Sequence, residues 1–406
     1  MKKKILLLFL LLMVIVFAIF FYFISRNKNK TIKIVAVATM RGISAGVETV
    51  NGMKIALKEN NNLGKDYKES NYFTGDYTIE LEVMDNGDEN GLWRDYLEKE
   101  IVERAVADKD VLVYLGPIDS GASKISIPVT NKAGLAQISS INTWPGLTQP
   151  GFAIGEPGIF YPTGVRNYFR VCPTDSLQGV YGAVWAKEMG FENILIFDDG
   201  ESYGRGLAGI FKQKATNLGL NILAHNSFNR EDDLLLTEIA LVQELKPDLV
   251  YFSGTTSIGL ISLINSISDL NMGIKFMGVD GIMDQALIDQ TGRNSEGLML
   301  TSVGLPIEKI DNDKARQFYK NYYDEYGEYP TIYSGFGYEA MSAALMAINR
   351  IDSPDRKKVI DELSSLDNFS GLFGQWGFDS NGDTSLSLIS ANVVKEGKFV
   401  FEKLLK

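Results

Sequence analysis

Leu115-Gly-Pro-Ile-Asp-Ser120-Gly-Ala-Ser-Lys-Ile-Ser-Ile-Pro-Val129 puts a strand end, a hydroxyl and a helix start in immediate succession. Val111–Leu115 is a short apolar run of the kind that forms a buried strand. Gly116 and Pro117 end it, and Ser120 stands at the N-cap position before a helix over Gly121–Ala133. A helix start of this kind leaves free N–H groups beside a hydroxyl, which suits a carboxylate or phosphate. On this stretch alone an ordinary capped helix of an α/β protein is the better account, because most caps bind nothing.

The same strand–helix alternation runs outward from this point. Strands are predicted at Ile32–Ala38, Thr78–Met84, Leu135–Ile138, Asn193–Phe197, Leu220–Ala224, Leu249–Phe252, Lys275–Gly278 and Leu298–Ser302. Helices are predicted between them, including Val47–Glu59, Trp93–Ala107, Leu177–Met189, Gly206–Leu218 and Ile258–Leu270. Alternation of this kind implies parallel sheets covered by helices on both faces, with ligands at the carboxyl ends of the strands. Two runs of it, separated by the Gly- and Pro-rich stretch Pro145–Gly164, point to two similar lobes. The end of the chain differs: helices at Asp313–Tyr326 and Ser334–Asn349 precede short strands near Gln375–Phe378, Ser387–Lys395 and Lys398–Leu404.

A chain of 406 residues, 45% hydrophobic and 22% charged, is long enough for two or three domains with full cores. Its first thirty residues stand apart. Lys2, Lys3 and Lys4 precede an unbroken apolar run of 20 residues, Ile5–Ile24, and Arg26, Lys28 and Lys30 follow. That length spans a bilayer, whereas a signal-peptide core is usually ~7–15 residues. Residues 1–30 therefore read as one N-terminal transmembrane signal-anchor, with a cleaved signal peptide as the alternative. Without them the chain keeps 34 basic against 51 acidic residues, a net charge of −17. So acidic a surface excludes nucleic acid as a partner, since phosphate contacts need Lys and Arg. A single cysteine, Cys172, and a single histidine, His225, leave no internal disulfide and no His/Cys zinc cluster.

Several local motifs have weaker claims. Gly204-Arg-Gly-Leu-Ala-Gly209 fits the dinucleotide fingerprint, but six residues separate it from the strand ending at Phe197, and the next strand ends in no acidic residue. It reads as a Gly-rich helix start, and no cofactor is expected. Asp379-Ser-Asn-Gly-Asp383 opens like a calcium loop, yet Thr384 occupies the position of the required glycine, so a tight turn is the better reading. No G-x-S-x-G elbow accompanies His225, and no enzyme chemistry is expected. The tyrosines at 319, 322, 323, 326 and 329 read as a helix face with a wet edge.

Five stretches in order carry a resemblance: Leu115–Ser120, Ser139-Ser-Ile-Asn-Thr-Trp-Pro-Gly-Leu-Thr148, Arg170-Val-Cys-Pro-Thr-Asp-Ser-Leu-Gln-Gly179, Asp198-Asp-Gly-Glu-Ser-Tyr-Gly-Arg-Gly206 and Phe276-Met-Gly-Val-Asp-Gly281. Together they resemble the leucine/isoleucine/valine-binding proteins, the type I periplasmic substrate-binding components of ABC importers, from Ile32 to Lys406. The resemblance implies two Rossmann-like lobes joined by a three-crossover hinge near Val171–Thr174, Thr301–Leu305 and Leu372–Trp376. One lobe would comprise residues 31–171 plus 303–372, the other 172–302 plus 373–406. It also implies a monomer outside the cytoplasm that closes on a small solute and docks on an ABC permease.

By the same resemblance, Ser120, Thr143 and the backbone at Ile141 form a carboxylate cradle, Asp280 takes an ammonium, and Tyr203 covers the ligand from the second lobe. A buried carboxylate suits that task because it neutralises the charge and accepts several N–H bonds. Ser44-Ala-Gly46 and Ser253-Gly-Thr-Thr256 stand where leucine-type members carry aromatic residues, so Thr255 joins the ligand-binding set while the side-chain preference stays open. Gly155–Arg166 reads as a longer loop near the cleft mouth. A membrane-tethered sensor of the same fold is the second reading. It would pass its signal through a further domain, whereas only Met1–Lys4 precedes the apolar run, which favours transport.

Overall fold

The structure, a computed structural model, describes residues 13, 30–41, 44–60, 72–74, 77–229 and 235–405. The expected signal-anchor, residues 1–30, therefore lies outside the described residues except at its positions 13 and 30. Among the described residues no helix is long and apolar enough to cross a membrane.

The first sheet contains β1 (Lys30–Ala38), β2 (Tyr72–Thr74), β3 (Tyr77–Asp85), β4 (Val111–Leu115), β5 (Ala136–Ser139) and β6 (Tyr168–Arg170), in the order β2-β3-β1-β4-β5-β6. All neighbours are parallel except β2 and β3. Every residue of β4 is buried, as a strand covered on both faces requires. Helices α1 (Ala45–Asn60), α2 (Asp95–Ala107) and α3 (Ser120–Lys132) supply the crossovers. The N-cap of α3 is Asp119, not Ser120: Asp119 has extended dihedrals and Ser120 opens the helix. The Asp119 side chain caps nothing; it accepts from the Thr39 hydroxyl at 3.2 Å.

The second half repeats the plan with α4 (Asp175–Glu188), β7 (Asn193–Asp198), α5 (Ser202–Asn217), β8 (Asn221–Ser227), α6 (Leu236–Leu245), β9 (Leu249–Ser253), α7 (Ile258–Asp269), β10 (Lys275–Val279), α8 (Gln285–Thr291) and β11 (Met299–Val303). The chain then returns to the first sheet. Helices α9 (Asp313–Tyr326), α10 (Ile332–Arg350) and α11 (Arg356–Ser364) pack on it through α1, β4 and β5. The small hairpin β12 (Phe369–Gly371) and β13 (Gly374–Trp376) follows, and β14 (Ile389–Lys395) and β15 (Lys398–Leu405) complete the second sheet, ordered β15-β14-β11-β10-β9-β7-β8. We call each sheet with its helices a lobe.

The sequence expectations fail where a polar residue interrupts a strand. Tyr168–Arg170 was not predicted because it ends in Arg170, which is fully buried and paired with Asp383 at 2.6 Å. Asp383 belongs to the Asp379–Asp383 turn, whose Asp379 Oδ1 accepts from the N–H groups of Asn381 and Asp383. This turn thus delivers a carboxylate to Arg170 of the first lobe. Among the described residues no group of three or more His, Cys, Asp or Glu is placed to hold a metal. His225 is paired with the buried Asp198 at 2.7 Å, a structural contact at the end of β7 and β8.

Glycines set two close approaches. A side chain at Gly52 would overlap the Ser334 backbone, and one at Gly337 would overlap the Thr49 backbone, so α1 and α10 lie against each other as one rigid pair. In the G-x-G-x-x-G stretch, Gly204 lies against Asp199 and Ser253, and Gly206 against the Trp144 ring of the first lobe. These glycines permit close packing of α5 against Asp199, Ser253 and Trp144.

Glu339, in the middle of α10, is buried and accepts one N–H from Phe373 at 3.1 Å, while its Oε2 has no hydrogen-bond partner. Burial pushes its carboxyl from 4.5 up to about 7. Between those values the folded protein keeps a proton that the unfolded chain releases, so the contribution of this group to stability is most favourable below about pH 4.5 and declines as pH rises through 7. The loss amounts to about 3 kcal/mol for this group. Glu339→Gln should leave stability at pH 5 nearly unchanged and flatten its decline toward pH 8. Glu98, pushed up to about 7 by burial, and Asp175, pushed up to about 8, keep part of the slope. Denaturant midpoints at the two pH values measure this, and an unaltered slope in the variant would refute it.

Candidate functional site

The two lobes meet over a pocket at the carboxyl ends of both sets of strands, the position expected for this topology. Its lining comes from the first lobe through Ser44, Ala45, Ile118, Asp119, Ser120, Ile141 and Tyr333, and from the second through Tyr203, Thr255, Asp280, Gly281, Met283 and Asp284. Together with the open space at its mouth the pocket offers about 600 Å³ of free volume, on the scale of small-molecule sites.

One end of the pocket presents a hydroxyl and a helix start, with Asp119 beside them. Ser120 is the first residue of α3, is buried, and accepts from the Trp144 N–H at 3.4 Å. The helix start and its dipole face the same space. Ile141 lines the wall beside it.

The other end presents a carboxylate. Asp280 follows β10 directly and is almost fully buried. Its Oδ1 accepts from the Tyr203 hydroxyl at 3.2 Å and from the Gln178 amide. Burial pushes the Asp280 carboxyl above its ordinary range against those hydrogen bonds. Gln178 also donates to the Thr301 carbonyl at 3.1 Å, which fixes the amide. Asp175, the first residue of α4, lies nearby with no exposure, and neither carboxylate oxygen has a hydrogen-bond partner. Burial, with the neighbouring Asp280 adding to it, pushes Asp175 up to about 8. Among the described residues no Lys, Arg or His lines the pocket to offset Asp280.

Of the six residues expected at the site, the structure brings Ser120, Ile141, Tyr203, Thr255 and Asp280 to one pocket. Thr255 is held by Asp199, whose Oδ2 accepts the Thr255 N–H at 3.0 Å. Thr143 differs: it is buried behind the lining, its carbonyl accepting the Asp175 N–H at 2.9 Å and its hydroxyl unpartnered. It backs Asp175 and does not line the cavity.

Asp175 and Tyr333 went unrecognised in the sequence. An aspartate after Thr174 looks like any helix-start acid, and only its lack of partners marks it out. Tyr333 sits in the apolar run of α10, where an aromatic residue signals core. The loop Gly155–Arg166, expected at the cleft mouth, folds back on the first lobe: Glu156 accepts from Trp144 Nε1 at 2.7 Å and pairs with Lys124 at 2.8 Å. It thereby steadies the Trp144 ring, against which Gly206 of the second lobe packs.

A model of the periplasmic binding protein family matches residues 31–394. Among related sequences, the Leu/Ile/Val-binding protein homolog 2 of Brucella abortus is 27% identical over 279 residues, 68% of this chain and 70% of that one. Among solved structures, a leucine-binding protein of Thermotoga maritima superposes with a TM-score of 0.77 at 27% identity, covering 92% of this chain and 98% of that one. A branched-chain amino acid transporter substrate-binding protein of Streptococcus pneumoniae, solved in complex with isoleucine, shares the fold, with a TM-score of 0.73 at 20% identity over 92% and 100% of the two chains.

Proposed function

The chain belongs to the periplasmic binding protein family, and from that premise we propose that it captures an amino acid in the interlobe pocket and delivers it to an ABC importer. The observation that carries this is the pairing of a buried, uncompensated carboxylate, Asp280, with a helix start and the Ser120 hydroxyl in one cavity. A zwitterion satisfies both ends at once; a simple amine or a simple carboxylate satisfies one and leaves the other desolvated on closure. The relatives' names support an amino acid as the solute.

In this reading Ser120 and the backbone at Ile141 hold the carboxylate, Asp280 with Tyr203 above it holds the ammonium, and Asp175, with Thr143 behind it, adds a second carboxyl group that gives up its proton when the ammonium arrives. Thr255 and the apolar Ile118 and Met283 face the solute side chain. The lobes, residues 31–171 plus 303–372 and 172–302 plus 373–406, close by hinge motion at three crossovers. Capture proceeds without bond chemistry. Family membership places the protein outside the cytoplasm, and residues 1–30 would hold it, as a monomer, near its permease and raise its effective concentration there.

A thermal-shift screen of the purified protein against amino acids, small amides, carboxylates and nucleotides tests the reading. A ligand at 100 times its Kd stabilises the fold by about 2.7 kcal/mol. A shift confined to a group of amino acids is expected. A flat response to all amino acids alongside a clear shift for another class would overturn the roles given to Asp280 and Ser120.

A further inference from the structure

We propose that the Tyr333 hydroxyl is a latch between the lobes, fastening the second lobe over the pocket and positioning Asp280 for the solute. The positioning half rests on the reading above; the latch half does not. Tyr333 lies in the first turn of α10, in the rigid α1–α10 pair of the first lobe. Its hydroxyl donates to the main-chain carbonyl of Asp280, across the cleft, at 2.5 Å. Asp280 is thus held twice: its backbone by the first lobe through Tyr333, and its carboxylate by the second through Tyr203 and Gln178.

The loop that follows is caught again at its far end, where the Ser44 N–H points to Asp284 Oδ2 at 3.4 Å. Asp284 Oδ1 meanwhile accepts the Ala286 N–H at 2.9 Å, so this carboxylate is anchored on α8. The Tyr333 phenol is buried, and burial together with the nearby Asp280 keeps it protonated and able to donate. Both contacts join one lobe directly to the other, so neither needs a solute to form. They therefore favour the closed arrangement before a solute arrives, and they slow its departure afterwards. One hydroxyl separates tyrosine from phenylalanine, so Tyr333→Phe removes the latch and keeps the ring that lines the pocket.

The test uses spin labels at the exposed Lys132 on the first lobe and Lys212 on the second, each changed to cysteine. The native Cys172 is buried, and burial pushes its thiol up, so it stays unlabelled. Without solute, Tyr333→Phe is expected to move the interlobe distance distribution away from the wild-type one. With a solute found in the screen, dissociation should speed up about 3- to 10-fold, the worth of one hydrogen bond, with association within twofold. An unchanged distance distribution overturns the latch. A loss of affinity carried by association alone overturns the positioning role. A wild-type protein that binds no amino acid overturns the capture reading instead, and the distance measurement still decides the latch.

Discussion

Asp280→Asn is expected to weaken amino-acid binding at least about 100-fold while leaving the ligand-free protein as stable as before or more so. The two halves of this expectation have one cause. Asp280 is a carboxylate held almost out of water with two neutral donors and, among the described residues, no cation beside it. Without solute that charge is a burden, which is why its carboxyl is pushed above the ordinary range. Asparagine keeps the shape and one acceptor oxygen for Tyr203 and Gln178 but removes the burden. With solute, the ammonium loses its ionic partner in a closed, poorly hydrated site, and removing one member of such a pair costs about 3 kcal/mol. That corresponds to about a hundredfold in Kd. Calorimetric titration of wild type and variant, with melting curves of both ligand-free forms, measures the two halves. A change in affinity below fivefold would remove Asp280 from the site. A fall in ligand-free stability would mean that the carboxylate holds the fold together and does not wait for a partner.

What the sequence made legible follows from how many neighbours each feature needs. Val111–Leu115 announces itself because a strand covered on both faces is apolar throughout, and its turn and helix start follow within a few residues. Asp313–Tyr326 is equally local: Asn312 caps one end by accepting the Ala315 N–H, and Gly327 takes the left-handed conformation at the other. Asp280 became legible only through its neighbours in the five stretches, since an aspartate after a strand is by itself a loop residue. The features that escaped depend on partners far along the chain. Tyr168–Arg170 is a strand whose buried guanidinium needs Asp383. Tyr333 acquires a role only when Asp280 from the other lobe is brought to its hydroxyl. Thr143 shows the converse: the resemblance put it in the cradle, and the packing of α4 against β11 sets it behind the wall, at Asp175.

The pH dependence of binding should expose Asp175. In the ligand-free protein its carboxyl is pushed up to about 8, by burial first and by the nearby Asp280 after that. At pH 7 it therefore carries a proton. An ammonium arriving at Asp280 favours the ionised form of both carboxylates and drives that proton off. Binding should then release a fraction of a proton at pH 7, and affinity should rise from pH 6 to 8 and level off above. The sign for folding is the reverse. The raised pKa means the folded protein holds a proton that the unfolded chain loses above pH 4, so this group favours folding most in acid and the benefit fades as pH climbs through 8. Asp175→Asn is expected to abolish the proton release and flatten the rise in affinity. It should also weaken binding about 10-fold at pH 8, where the wild-type carboxylate is available to the ammonium, and less at pH 6, where it is protonated in either case. Titrations in two buffers of different ionisation enthalpy count the protons directly. If the wild-type protein releases none and Asp175→Asn leaves affinity at pH 8 unchanged, Asp175 takes no part in holding the ammonium and its burial serves only the junction between β6 and α4. If release persists in the variant, the proton comes from Asp280, and that carboxylate alone carries the charge that draws the solute in.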